Sequence, residues 1–140
     1  MFMTRCSVLE VNLNNFIDNV NSIQSYVGSN KKIMPVIKAN AYGTYINKRL
    51  DIINRFDIVA VALVEEAIGL RELGYKKEIF VLNQPYVEEI DLIIENNITI
   101  GISDISFLKE LGSRKENVKV HIEIDSCMGR TGGWEIDSFI

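Results

Sequence analysis

The chain has 140 residues, 47% of them hydrophobic and 24% charged, with a formal net charge of −4. That balance fits one folded domain of ordinary size and excludes a chain disordered over most of its length. Acidic and basic residues are interspersed without a basic stripe, which argues against a nucleic-acid partner. Residues 1–24 hold no apolar run long enough for a signal peptide or a membrane span, so a cytoplasmic protein is expected. Cys6 and Cys127 lie far apart and make neither a disulfide framework nor a zinc site; two unpaired, reduced thiols are expected.

In chain order, Leu13, Phe16, Ile17, Val20 and Ile23 recur at spacings of three and four and predict a helix. Residues 33–37 form a short apolar run rich in β-branched side chains, the first predicted strand. Ile46, Leu50 and Ile53 return to helical spacing over residues 46–56. A second strand covers 57–62. Leu63, Ala67 and Leu70 make the next helical stripe, with Glu65, Glu66 and Arg71 on the other face and Gly74 as the stop. The third strand covers 79–82. Val87, Ile90, Ile93 and Ile94 form a helix opened by Pro85 and ended by Asn96 and Asn97. The fourth strand covers 98–102. Ile105, Leu108 and Leu111 form a helix with Ser103 or Asp104 as N-cap and Gly112 as stop. The fifth strand covers 118–124. Glu65, Glu66, Glu88, Glu89 and Asp91 read as a solvated helix surface.

Strict alternation of strand and helix, with middle strands apolar on both faces, predicts an α/β fold with a parallel sheet of about five strands. Periodicity alone leaves two architectures open: a doubly wound sheet, or part of a (β/α)8 TIM-type barrel. A whole barrel typically needs ~250 residues, so five strands would make about five-eighths of the ring.

The segment from Val36 to Gly43 carries the chemistry. Lys38 stands where the first strand ends, and ligands of parallel α/β folds bind at the C-terminal ends of strands. A partly desolvated lysine amine is a nucleophile able to form a Schiff base with a carbonyl cofactor. Asn40 and Gly43 suit a tight turn, and Tyr42 offers an aromatic face to a planar ring. Strand position alone favours a lysine that merely caps a strand end.

The residue string Lys38-Ala39-Asn40-Ala41-Tyr42-Gly43 resembles the pyridoxal-phosphate lysine motif of alanine racemases. Residues 56–62, followed by Val64-Glu65-Glu66-Ala67-Ile68-Gly69-Leu70-Arg71, are similar to that family's second strand and its E-E-A-x-x-L-R helix. Residues 120–132, with Asp125, Met128, Gly129, Arg130 and Gly132, are similar to its H-x-K-[IV]-D-[TS]-G-M-G-R-x-G segment. The three blocks occur in the family's order over essentially the whole chain.

The resemblance implies the barrel rather than the open sheet, and pyridoxal 5'-phosphate as cofactor. It implies that Lys38 anchors the cofactor and acts as base on one face of the substrate. It implies that Tyr42 helps hold the cofactor, and that Arg130 approaches the cofactor's phenolic oxygen and the substrate carboxylate. It also implies a small amino-acid substrate, conversion of L-alanine to D-alanine, and a homodimer in the complete family. The family's second base, a tyrosine, belongs to a C-terminal β domain that residues 1–140 do not include. These residues are therefore expected to be an incomplete N-terminal barrel domain, inactive alone, with open edges near Ile33 and Val118. A racemase for another amino acid such as serine, and a non-catalytic pyridoxal-phosphate-binding remnant, are the alternatives.

Three departures from the family pattern stand out. Thr44-Tyr45 follows Gly43 where a histidine is usual. Cys127 stands where glycine is usual. Glu123 replaces a lysine that is commonly carboxylated in the family, and is expected to orient Arg130. His121, the only histidine, lies on the same strand face as Glu123 and is expected to be a packed or hydrogen-bonded core residue rather than a metal ligand.

Overall fold

The computed structural model describes residues 7–133. They divide into two compact units on either side of the Ile33–Met34 link. The first unit contains α1 (Leu13–Val27). The Asn12 side chain opens it by accepting from the backbone N–H groups of Asn14 (3.0 Å) and Asn15 (3.1 Å). This satisfies two of the donors that a helix start leaves unpaired. Gly28, at φ +89°, ends the helix. Cys6 lies outside the described residues.

The second unit is a parallel α/β arrangement. It begins with α2 (Lys38–Tyr42), a 3₁₀ turn at Ile46–Lys48 and α3 (Leu50–Ile53). Then β1 (Ile58–Val61), α4 (Val64–Leu73), β2 (Glu78–Val81), a 3₁₀ turn at Val87–Glu89, α5 (Ile90–Glu95), β3 (Thr99–Ile102), α6 (Ile105–Ser113) and β4 (Val120–Ile122) follow. The strands lie side by side in the order β1-β2-β3-β4, each pair parallel. The predicted strand-and-helix alternation is present, but among the described residues the sheet has four strands rather than five.

The predicted first strand is reduced to a single parallel bridge, Val36 to Ala60. The Ala60 N–H donates to Pro35 O (2.9 Å) and the Ile37 N–H to Ala60 O (2.8 Å). The preceding rung would need an N–H from residue 35, and proline has none. The following rung is lost because the chain turns away at Lys38. Two helix ends also differ from expectation. Residues 46–56 break into the 3₁₀ turn and the single-turn α3, and α6 runs through Gly112 to end at Ser113.

Register sorts the side chains onto two faces. Val59, Val61, Ile79, Val81, Ile100 and Ile102 share one face and are buried. Against this face lie the apolar stripes of the helices, among them Val64, Ala67 and Leu70 of α4 and Phe107 and Leu111 of α6. The other face carries Ala60, Phe80, Gly101, His121 and then Glu123. At its N-terminal end the Thr99 hydroxyl donates to Glu78 (3.0 Å), and Lys119 pairs with the same carboxylate (3.5 Å). Among the described residues the sheet ends at the residue-35-to-37 segment on one side and at β4 on the other. Ile122 of β4 shares the helix-packed face but is 43% exposed.

Candidate functional site at the strand ends

The site is built on the C-terminal ends of the strands, the usual place for chemistry in such folds. Val36 pairs with Ala60 on the inner face, which places Lys38, two residues on, at the top of that face. Lys38 is half-buried. No hydrogen bond or ion pair among the described residues engages its side chain.

The turn that follows is left-handed. Ala39 (φ 50°, ψ 51°), Asn40 (φ 54°, ψ 45°) and Ala41 (φ 53°, ψ 51°) all lie in the left-handed helical region. Tyr42 (φ 55°) and Gly43 (φ 82°) continue it. A non-glycine residue pays roughly 1–2 kcal/mol for this conformation, so four in succession require compensation. The Ala41 N–H donates to Ile37 O (3.0 Å), the Gly43 N–H to Ala39 O (3.1 Å) and the Tyr45 N–H to Asn40 O (2.8 Å). The Thr44 hydroxyl adds a bond to Ala41 O (2.7 Å). Alanine has the smallest Cβ, and asparagine tolerates the region better than most residues. The sequence reading found a tight turn here but not its handedness.

Ala41 is buried under the turn, while Tyr42 is 66% exposed. Lys38 and Tyr42 are the first and last residues of this one turn.

The third predicted residue, Arg130, lies at the opposite edge of the sheet. It sits exposed on the loop after β4. This loop is closed by the bridge from Ile124 to Gly133 and by the Gly133 N–H donating to Glu123 O (3.0 Å). The Asp125 carboxylate holds the inside of the loop, accepting from the N–H groups of Met128 (2.8 Å) and Gly129 (3.1 Å). Gly132 is required: at φ +103°, a Cβ there would come within 2.5 Å of the Asp125 nitrogen. Cys127 is at φ +83°, so it adopts the conformation glycine favours although it is not glycine. Its thiol is free and exposed.

No hydrogen bond or ion pair joins Arg130 to Lys38, Tyr42 or Glu123. The expected Glu123–Arg130 pairing is therefore not formed. Glu123 instead lies over Gly101, whose missing side chain leaves the room: a Cβ there would stand 3.2 Å from a Glu123 carboxylate oxygen. Its Oε2 is buried and without a hydrogen-bond partner. His121, on the same face, stacks on Phe80 with ring centroids 4.4 Å apart. The residue as a whole is exposed, so it is not the core histidine expected; only its ring packs, on Phe80. Among the described residues no group of acidic, histidine and cysteine side chains could hold a metal ion.

Glu66, read as solvated surface, and Arg71, placed only on the face opposite the apolar stripe, have structural work at this site or beneath it. Glu66 is half-buried and accepts three backbone N–H groups: Ala39 (2.6 Å), Ala62 (2.8 Å) and Leu63 (3.2 Å). Leu63 is the N-cap of α4 and has no side-chain acceptor, so only the glutamate half of a capping box forms. The three-residue spacing from Leu63 to Glu66 was the available signal. Arg71 donates to four carbonyls at the other end of α4, those of Tyr75, Lys77, Asn96 and Asn97.

With this geometry in hand, the comparisons with known proteins agree. The family model described as the N-terminal domain of alanine racemase matches residues 11–139. A curated relative, alanine racemase 2 of Caldanaerobacter subterraneus subsp. tengcongensis, is 37% identical over 135 residues, 92% of this chain and 35% of the relative. A solved alanine racemase from Clostridium difficile 630 superposes with a TM-score of 0.81 at 32% identity, over 91% of this chain and 35% of that one. A histidine racemase from Leuconostoc mesenteroides subsp. sake superposes with a TM-score of 0.77 at 27% identity, over 88% of this chain and 34% of that one. The chain spans about a third of the length of the curated relatives it matches.

Proposed function

The chain belongs to the alanine racemase family through that family's N-terminal barrel domain, and from this premise we propose that it is the lysine-bearing part of a pyridoxal-phosphate-dependent amino-acid racemase acting on alanine. The observation that carries the reading is Lys38: an amine with no hydrogen-bond or ion-pair partner among the described residues, at the end of the first strand segment, followed by a left-handed turn that leaves Tyr42 exposed. When bound, pyridoxal phosphate withdraws electrons from the amino acid's α-carbon so that the α-proton can leave.

The residues of this chain have distinct parts in that chemistry. Lys38 would hold the cofactor through its amine and would serve as the proton acceptor and donor on one face of the α-carbon. A lysine suits both tasks because a primary amine on a flexible stem can bond to a carbonyl carbon and can also carry a proton. Tyr42 would help hold the cofactor. Arg130, a permanently charged fork, would be the group to pair with an anionic oxygen of the cofactor or with the substrate carboxylate. Racemisation also needs a proton on the opposite face of the α-carbon, and we assign that donor to no residue of this chain. The purified 140-residue chain is therefore expected not to racemise alanine. Racemase turnover dependent on Lys38 would overturn that expectation. A cytoplasmic setting and a homodimer in the complete assembly belong to the same reading. No helix among the described residues is long and apolar enough to cross a membrane.

Substrate choice is the finer part of the proposal. The same architecture serves a protein titled histidine racemase, so the Lys38 turn and the strands around it are compatible with more than one amino acid. The test of the cofactor reading is chemical trapping. The chain is mixed with pyridoxal phosphate, reduced with borohydride and digested, and the modified lysine is located by mass spectrometry. Modification concentrated at Lys38 and lost in Lys38→Ala is the expected result. Modification spread evenly over exposed lysines refutes the reading.

A further inference from the structure

We propose that Glu66 is a positioning residue for Lys38: its carboxylate replaces a missing rung of the sheet and fixes the backbone on which the lysine is mounted. This inference rests on the reading of Lys38 as the cofactor-holding residue.

The argument starts from the hydrogen bonds that the sheet cannot make. The segment before Lys38 pairs with β1 through Ala60 N–H to Pro35 O and Ile37 N–H to Ala60 O. In a parallel ladder the next rung would run from Ala62 N–H to Ile37 O and from Ala39 N–H to Ala62 O. Neither bond is present. Ile37 O is taken by the Ala41 N–H (3.0 Å), which closes the left-handed turn, and Ala62 O accepts from Asn83 (3.3 Å) on the other side. Two neighbouring N–H groups are left without their acceptors at the point where Lys38 leaves the sheet.

Glu66 supplies both. One carboxylate oxygen accepts the Ala39 N–H at 2.6 Å, and the other accepts Ala62 at 2.8 Å and Leu63 at 3.2 Å. The residue after Lys38 is thereby tied to the end of β1 by a side chain 27 positions further along the chain. A carboxylate suits this place for two reasons. Both of its oxygens accept, so it can serve donors on two sides, whereas an amide would present an NH₂ to one of them. It also sits in the first turn of α4, where the helix dipole favours negative charge. The backbone on both sides of Lys38 is consequently held, by Ile37 N–H to Ala60 O before it and by Ala39 N–H to Glu66 after it. The left-handed turn can then be maintained despite its cost.

Two variants separate this role from ordinary helix capping. Glu66→Asp is one methylene shorter: it keeps the charge and the reach to the Leu63 and Ala62 N–H groups but loses Ala39. Glu66→Gln keeps the length but turns an NH₂ toward donors on one side. The buried residues of α4, Val64, Ala67 and Leu70, are untouched in both. The readouts are amide hydrogen exchange at Ala39 and the rate of borohydride-trapped pyridoxal-phosphate modification at Lys38, with exposed Lys31 as internal control.

Glu66→Asp is expected to leave exchange at Leu63 near wild type, to speed exchange at Ala39, and to slow trapping at Lys38 roughly tenfold, because small misplacements of a reacting group cost that much or more. Lys31 is expected to react at the wild-type rate throughout. A helix cap alone would leave Glu66→Asp close to wild type at Ala39 and Lys38, and that result overturns the proposal. If wild-type Lys38 is not trapped at all, the cofactor reading fails separately. Ala39 exchange then decides the clamp: faster exchange in Glu66→Asp supports it, and unchanged exchange overturns it.

Discussion

Replacing Arg71 by alanine removes the four charge-assisted bonds that lace two successive helix-to-strand connections. The Arg71 Nε donates to Asn96 O (2.9 Å) and Nη2 to Asn97 O (2.9 Å), at the end of α5. Nη1 donates to Tyr75 O (2.9 Å) and Lys77 O (2.7 Å), between α4 and β2. The bonds to Asn96 and Tyr75 are partly buried and the other two are exposed. Hydrogen bonds to a charged group contribute ~1.5–3 kcal/mol when shielded and much less in water. Two costs offset them. Burial disfavours the guanidinium charge and lowers its pKa, a shift that Tyr75 opposes, and the long side chain loses ~2 kcal/mol of rotamer freedom. The net loss expected for Arg71→Ala is about 2–3 kcal/mol, with a fall in melting temperature on the order of 10 °C. Arg71→Lys recovers less than half, since an ammonium cannot direct bonds along the divergent arms of a guanidinium. Urea unfolding followed by far-UV circular dichroism measures both. A loss below about 0.5 kcal/mol for Arg71→Ala, which is ordinary for a surface substitution, would refute the reasoning. So would complete recovery by lysine.

Two further predictions concern residues away from the chemistry. Tyr75 is fully buried, its hydroxyl donates to Phe56 O (3.1 Å), and burial pushes its pKa up to about 12. The unfolded chain releases this proton near the ordinary pKa of about 10, so between about pH 10 and 12 the folded state holds the proton while the unfolded state does not. The stabilisation is complete below pH 10 and is lost as pH rises through this window, by up to roughly 3 kcal/mol. Tyr75→Phe should flatten this alkaline fall in a pH series of denaturation curves, and an unchanged slope would contradict the assignment. Cys127→Gly should stabilise the Arg130 loop by about 1 kcal/mol by relieving its positive φ, and Cys127→Val should destabilise it by at least as much. Equal resistance of the three loops to limited proteolysis would count against the strain.

Much of this molecule was legible in the amino-acid sequence because the information is local. Strand and helix alternate as hydrophobic period dictates, Gly74 stops α4 and Asp104 caps α6, and none of this requires knowledge of a distant residue. Lys38 was singled out for another reason: the six-residue string from Lys38 to Gly43 is specific even though a lone lysine at a strand end is not. The three motif blocks in order likewise sufficed to point to the family.

Tertiary structure decided what depends on hydrogen-bond partners far apart in sequence. The first strand collapses to one bridge because Pro35 cannot donate and Ile37 O is claimed by the left-handed turn. Glu66 and Arg71 have the composition and spacing of a solvated helix face. Only the fold supplies the Ala39 N–H and the Asn96 carbonyl that make one a clamp and the other a lace. Glu123 was expected beside Arg130; in the fold the room above Gly101 receives it instead. Periodicity reports which face of an element is apolar. It does not report which unpaired donors and acceptors the ends of neighbouring elements leave within reach, and at this site those unpaired groups hold the backbone around Lys38.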